Sequence, residues 1–96
     1  MRQAMYYALL YDTVPDYTER RQPFRAEHLA LAQRSLAAGH LVMGGAFDPA
    51  DAALLVFRAD DPAPVEEFVR QDPYVKNGLV TRWRIRPWVV VVGGTP

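Results

Sequence analysis

His40-Leu-Val-Met-Gly-Gly-Ala46, then Phe47-Asp48-Pro-Ala-Asp51, then Ala52-Ala-Leu-Leu-Val-Phe-Arg58 is the stretch on which the fold of this chain turns. Two apolar runs of strand length flank a segment, residues 48–51, that carries the Asp and Pro positions of a type I turn. They read as a hairpin of two strands, 40–46 and 52–58. Gly44-Gly45 weakens the first strand and marks a bulge or a close backbone approach. The second strand is apolar on both faces, the pattern of a strand covered from both sides.

Working outward from the hairpin, Pro23 suits a first helical position, where its missing N–H has no partner to lose. Residues 24–38 are rich in Ala, Leu, Glu, Gln and Arg, good helix formers. Leu29, Ala32 and Leu36 repeat at helical spacing as the inward face, and Gly39 supplies the left-handed stop. Before this helix, residues 12–21 are polar, hold Pro15 and read as a loop. Residues 4–12 are aromatic and apolar on both alternating faces, a second doubly covered strand. Downstream of the hairpin, Asp60 and Asp61 offer acceptors and negative charge at a helix start, Pro62 and Pro64 preset the first turn, and residues 65–71 form a short helix. Asp72 precedes Pro73, which pushes it out of helical geometry. Residues 79–88 form the last strand, with Leu79, Thr81, Trp83 and Ile85 on one face and Val80, Arg82, Arg84 and Arg86 on the other.

The order β-α-β-β-α-β is the split βαβ arrangement, an α+β ferredoxin-like fold with an antiparallel sheet and both helices on one face. The usual strand order puts the first and third strands in the middle, and these are the two that are apolar on both faces. One face meets the helices. The other is most simply covered by the same face of a second copy, a twofold homodimer. The alternative is an amphipathic open face on which Tyr6, Tyr7 and Tyr11 keep their hydroxyls in water. Residues 89–92, four valines, would be an aggregation-prone edge if uncovered and are expected to pair with something, while residues 93–96 should fray.

With 96 residues, half of them hydrophobic, the chain is read as a single domain, its core at about 4–88 and a tail at 89–96. Eleven basic and eleven acidic residues balance, so no long-range field gathers nucleic acid or anionic membrane, and neither is expected as a partner. The absence of cysteine excludes disulfides, thiolate metal sites and a cysteine nucleophile. Residues 1–7 lack the apolar run of a secretory signal, and no apolar run is long enough to cross a bilayer. A soluble cytoplasmic protein is expected.

Ser35 is the only serine and lies inside the first helix, outside any nucleophile elbow. His28 and His40 are not spaced as a ligand pair on one helical face, and Gly44-Gly45 lacks the lysine and helix of a phosphate loop. General acid–base chemistry by imidazole, carboxylate or phenol remains. His28 stands near the start of the first helix, where an imidazole is suited to exchange a proton near neutral pH. A half-buried histidine with a satisfied hydrogen bond reads equally well there. Asp72, at the negative end of the second helix, calls for a donor or cation beside it, or is simply a turn residue before Pro73. As a pair the two gain meaning, since a carboxylate bonded to a histidine fixes its tautomer. Arg20, Arg21 and Arg25 offer forked hydrogen bonds to a carboxylate, or a solvated helix start. Arg82, Arg84 and Arg86 fit a dimer rim, an anionic pocket or a solvent edge. Glu66 and Glu67 read as surface charges.

Three segments, Arg25-Ala-Glu-His28-Leu29, Ala38-Gly-His-Leu-Val-Met-Gly-Gly45, and Asp72-Pro-Tyr-Val75 with Gly78-Leu79, together resemble the YCII-related (YciI-like) proteins over residues 5–88. The resemblance implies a dimeric α/β barrel with a pocket between sheet and helices and a catalytic dyad of His28 and Asp72. It also implies that Tyr74 and the Gly44-Gly45 backbone line the pocket. Family members often carry a proline or polar residue after the glycine pair, whereas Ala46-Phe47 here implies a more apolar pocket mouth. The functional expectation is a small cofactor-free, metal-free enzyme that moves a proton on a small aromatic or unsaturated acid, in isomerisation or elimination. In it His28 is base and acid, Asp72 orients it, Arg25 holds the anion, and Gly44, Gly45 and Tyr74 shape the substrate site. The alternatives are a non-catalytic ligand-binding or stress-response module using the same pocket, and a purely structural dimerisation unit.

Overall fold

The structure, a computed structural model, describes residues 5–94. Position 4 of the expected first strand and Thr95-Pro96 of the expected fraying tail lie outside the described residues. The elements run β1 (Met5–Thr13), α1 (Tyr17–Arg20), α2 (Arg25–Ala37), β2 (Leu41–Ala46), β3 (Ala52–Ala59), α3 (Ala63–Gln71), α4 (Pro73–Lys76) and β4 (Val80–Trp88). The strands form one antiparallel sheet in the order β2-β3-β1-β4, with the helices on one face. This is the ferredoxin-like α+β fold expected from the element order, and the two doubly apolar strands are the two central ones.

Alternation in the central strands builds the core. Tyr7, Leu9 and Tyr11 of β1 stand opposite Phe57, Leu55 and Ala53 of β3, and all six are buried. Leu31 of α2, Val65, Phe68 and Val69 of α3, and Tyr74 and Leu79 close over them. The alternate residues, Tyr6, Ala8 and Leu10 of β1 and Leu54 and Val56 of β3, point to the open face. There Arg84 and Arg86 of β4 pair with Leu10 and Ala8. The arginine row therefore borders the uncovered apolar face. The alternative of an open face on which Tyr6, Tyr7 and Tyr11 keep their hydroxyls in water fails for two of the three, since Tyr7 and Tyr11 face the helices and are buried.

Several local expectations are corrected. The segment read as a polar loop contains α1, because Tyr17 is drawn into the core and anchors it, and Pro23 falls in a 3-10 turn at Gln22–Phe24 just before α2. The bulge in β2 falls between Leu41 and Met43, not at the glycines. The connection at 48–51 is not a type I turn: the Asp48–Pro49 peptide is cis, and Phe47 N–H donates to the Ala52 carbonyl. Gly39, at φ +83°, stops α2 in the left-handed region as expected.

The inward face of α2 also differs. Leu31 is its buried residue, while Leu29 and Leu36 remain 44% and 46% exposed. They overhang β2, where Gly44 and Gly45 contribute no side chains to meet them, and the space between stays open. Beyond β4, residues 89–92 form no strand, and Val89, Val91 and Val92 are exposed.

Candidate active site

The open space between α2 and β2 is a cavity of about 320 Å³. His28, in the first turn of α2, lines it together with Arg25, and Gly44 and Gly45 of β2 and Tyr74 of α4 also line it. Asp72 does not. It is fully buried behind His28, at the junction of α3 and α4, where Pro73 holds it extended at φ −68°, ψ 117°.

From this position the carboxylate gathers three donors from three parts of the chain. His28 Nδ1 lies 2.8 Å from Oδ1, the Tyr74 backbone N–H donates to the same oxygen at 3.0 Å, and the Tyr11 hydroxyl donates to Oδ2 at 2.8 Å. The Tyr74 bond is the N-cap of α4, so one side chain both starts a helix and faces the histidine. Buried carboxylates need such donors, and the sequence expectation of a donor beside Asp72 is met by side chains 44 and 61 residues away. With Asp72 as a carboxylate, Nδ1 of His28 is the nitrogen that donates in this contact, and Nε2 is the ring nitrogen left over.

The imidazole is held on its faces as well. Its ring stacks on Tyr74 at 3.9 Å and 10°, and Phe68 meets it edge-on at 6.3 Å. Tyr17 packs edge-on against Tyr74 at 5.6 Å, and the Arg21 guanidinium sits 5.1 Å above the Tyr17 ring. Burial, then the Asp72 charge and hydrogen bond, push the Tyr11 phenol far above its ordinary range, so it remains a donor. Burial also raises Tyr17 and Tyr74, with Arg21 and Arg25 opposing the rise in both.

Other residues singled out in the sequence lie elsewhere. Arg20 turns outward to Asp16 at 3.9 Å. His40 lines a separate surface groove between α2 and α3. Arg82, Arg84 and Arg86 are on β4, away from the cavity. Glu66 and Glu67 are exposed, and Glu67 pairs with Arg70 and Gln71, which lower its pKa. Ala46 reaches the cavity wall and Phe47 does not, so only one of the two apolar residues after the glycines shapes the mouth.

Sequence reasoning missed Tyr11 and Tyr17 as parts of the site, and the apolar rim of Leu29, Leu36 and Met43. Tyr11 had a signal in its alternation with Tyr7 and Leu9, which put it on one face with two core residues. For Tyr17 the signal was an aromatic inside an otherwise polar segment.

Comparison with known proteins bears on the fold and the family. The model of the YCII-related domain matches residues 5–89. No curated protein matches the chain. Among solved structures, the 5-chloro-2-hydroxyhydroquinone dehydrochlorinase TftG from Burkholderia phenoliruptrix AC1100, in complex with 2,5-dihydroxybenzoquinone, superposes with a TM-score of 0.74 at 23% identity. The match covers 88% of this chain and 94% of that one. An uncharacterized NIPSNAP-like domain protein from Burkholderia xenovorans matches with a TM-score of 0.64 at 18% identity, over 100% and 92% of the two chains. Rv0793 from Mycobacterium tuberculosis does so at 0.59 and 15%, over 96% and 99%. These neighbours are of the dimeric α/β barrel type.

Proposed function

The chain belongs to the YCII-related family, and from that premise we propose that it is a small acid–base enzyme in which His28 moves a proton on a small aromatic or unsaturated acid. The observation that carries this reading is the 2.8 Å contact of His28 Nδ1 with a buried, triply bonded Asp72 at the wall of a cavity of ligand size. A purely structural unit has no use for such a cavity.

In this reading Nε2 of His28 takes a proton from the substrate, at a saturated carbon of an unsaturated acid or at a hydroxyl of a hydroxy-aromatic ring. The electron pair of the broken bond becomes a new π bond, C=C from the carbon or C=O from the hydroxyl. On the ring, chloride leaves only after the carbon that bears it has taken up a proton. The displaced electrons either take the proton back at another carbon, which is isomerisation, or leave with a departing group such as chloride, which is elimination. Asp72 touches no substrate; it holds the tautomer and balances the imidazolium. Arg25 pairs with the acid, while Tyr74 and the bare backbone of Gly44 and Gly45 bound the ring. The dehydrochlorinase among the structural neighbours acts on a chlorinated hydroxy-aromatic ring, which favours elimination from a compound of that kind. The active form in this proposal is a cytoplasmic homodimer joined through the open sheet face, and the chemistry calls for no cofactor.

Incubation in D2O with small unsaturated acids and with 5-chloro-2-hydroxyhydroquinone tests it, read as deuterium incorporation at carbon and as chloride release. The expected result is turnover by the native chain and a loss of roughly a hundredfold or more in His28→Ala, with binding kept. Binding without turnover in the native chain, or turnover untouched by His28→Ala, would overturn the enzyme reading in favour of a ligand-binding module.

A further inference from the structure

Two residues that line the cavity carry a buried polar atom with no hydrogen bond of full geometry in the protein, Tyr74 Oη and Arg21 Nε. Arg25 lies close enough to Tyr74 to oppose, through a side-chain hydrogen bond, the rise that burial gives its phenol pKa. Tyr74 is 1% exposed. A buried polar atom left unsatisfied costs about 1–3 kcal/mol, and two of them on residues of one cavity lining leave hydrogen-bonding capacity that a group entering the cavity can take up with a small side-chain adjustment. They belong to the same packed unit: Arg21 rests on Tyr17, Tyr17 on Tyr74, and Tyr74 on His28. Arg25 also lines the cavity, and among the described residues no acidic side chain does. At the other end the wall is Leu29, Leu36 and Met43, all strongly exposed for their type. The cavity is thus divided into a cationic, hydrogen-bonding pole and an apolar pole.

We infer that Tyr74 Oη, Arg21 and Arg25 form an oxyanion subsite, and that the ligand is a singly charged, single-ring acid whose charged oxygen sits there while its ring lies against Leu29, Leu36 and Met43. The single charge follows from the local balance. Two guanidinium groups in the lining, against the one carboxylate of Asp72 behind it, leave one positive charge to be matched. The single ring follows from size, since about 320 Å³ is near the lower end of small-molecule sites. The Tyr74 hydroxyl donates to the anionic oxygen, and its ring, already stacked on His28, fixes the distance between the charge and the imidazole. The inference rests on the proposed function for its placement of the ligand beside His28.

Benzoate and benzamide are close in shape and differ in charge, and each can be titrated into the isotope-labelled chain and followed by NMR. Benzoate is expected to bind at least tenfold more tightly than benzamide. Tyr74→Phe, which keeps the stacked ring, and Arg21→Gln are each expected to weaken benzoate about tenfold and leave benzamide unchanged. Equal affinity for the two probes, binding of neither, or a wild-type preference retained in both variants overturns the subsite. Should Tyr74→Phe not fold, Arg21→Gln and the native comparison decide. The same titration on His28→Ala separates the two readings. A preference that persists there without native turnover sinks only the acid–base reading, and native turnover without the preference sinks only the subsite.

Discussion

Tyr11 ties the sheet to the histidine through one hydroxyl, and its removal is informative in two ways. Tyr11→Phe leaves Oδ2 of a fully buried carboxylate without its donor. The expected destabilisation is about 1–3 kcal/mol in urea denaturation at neutral pH. The phenol's pKa is raised in the folded chain, so the folded state holds this proton more tightly than the unfolded state does. The contribution is complete below the unfolded phenol pKa of about 10 and is lost as pH rises above it. Tyr17 and Tyr74 shift in the same direction. Stability should therefore decline above about pH 10, and less steeply in Tyr11→Phe; an identical alkaline profile for the two chains would contradict the placement of Tyr11. At this scale the sequence marked His28 and Asp72 as residues able to do acid–base work but left each with an ordinary structural reading. Their contact spans 44 residues, and nothing in local periodicity encodes such a distance.

Among the elements, β2 is the one whose composition creates the site. A Cβ built on Gly44 would lie 3.1 Å from Leu55 Cγ, so the buried Leu55 side chain must shift by a few tenths of an ångström. Around Gly45 nothing lies within 4 Å. Gly44→Ala is accordingly expected to destabilise the chain by roughly 1 kcal/mol, the low end of overpacking costs, whereas Gly45→Ala should stay within about 0.5 kcal/mol; thermal unfolding of the two variants side by side distinguishes them. The glycine pair was legible as a close approach, though the bulge it suggested sits one turn of the pleat earlier, at Val42. Helical spacing found α2 but misassigned its face. Leu29 and Leu36 are apolar because they wall a cavity, and periodicity records apolarity without saying whether protein or ligand will cover it. The α1 turn escaped notice for a related reason: its polar sequence is anchored by one buried side chain, Tyr17, whose partner Tyr74 lies far along the chain.

For the whole molecule the open sheet face carries the remaining prediction. Tyr6, Ala8, Leu10 and Leu54 form a half-buried apolar strip beside the buried Val56, with no helix over it and bordered by Arg84 and Arg86. Sedimentation should give twice the chain mass of 10.9 kDa at micromolar concentration, and Leu54→Arg should halve it while the far-ultraviolet spectrum is kept. A native monomer under those conditions would remove the homodimer from the proposal. The sequence by itself determined the order of the four strands and the two longer helices, and which two strands are central, because period-two and period-3.6 patterning and the punctuation of Gly39, Pro62 and Pro73 are local properties of the chain. Only the tertiary structure decided that Tyr11, His28, Asp72 and Tyr74 share one hydrogen-bonded and stacked cluster, and that a cavity opens beside them. Those facts depend on how far β1, α2 and the α3–α4 junction approach one another, and packing sets that distance.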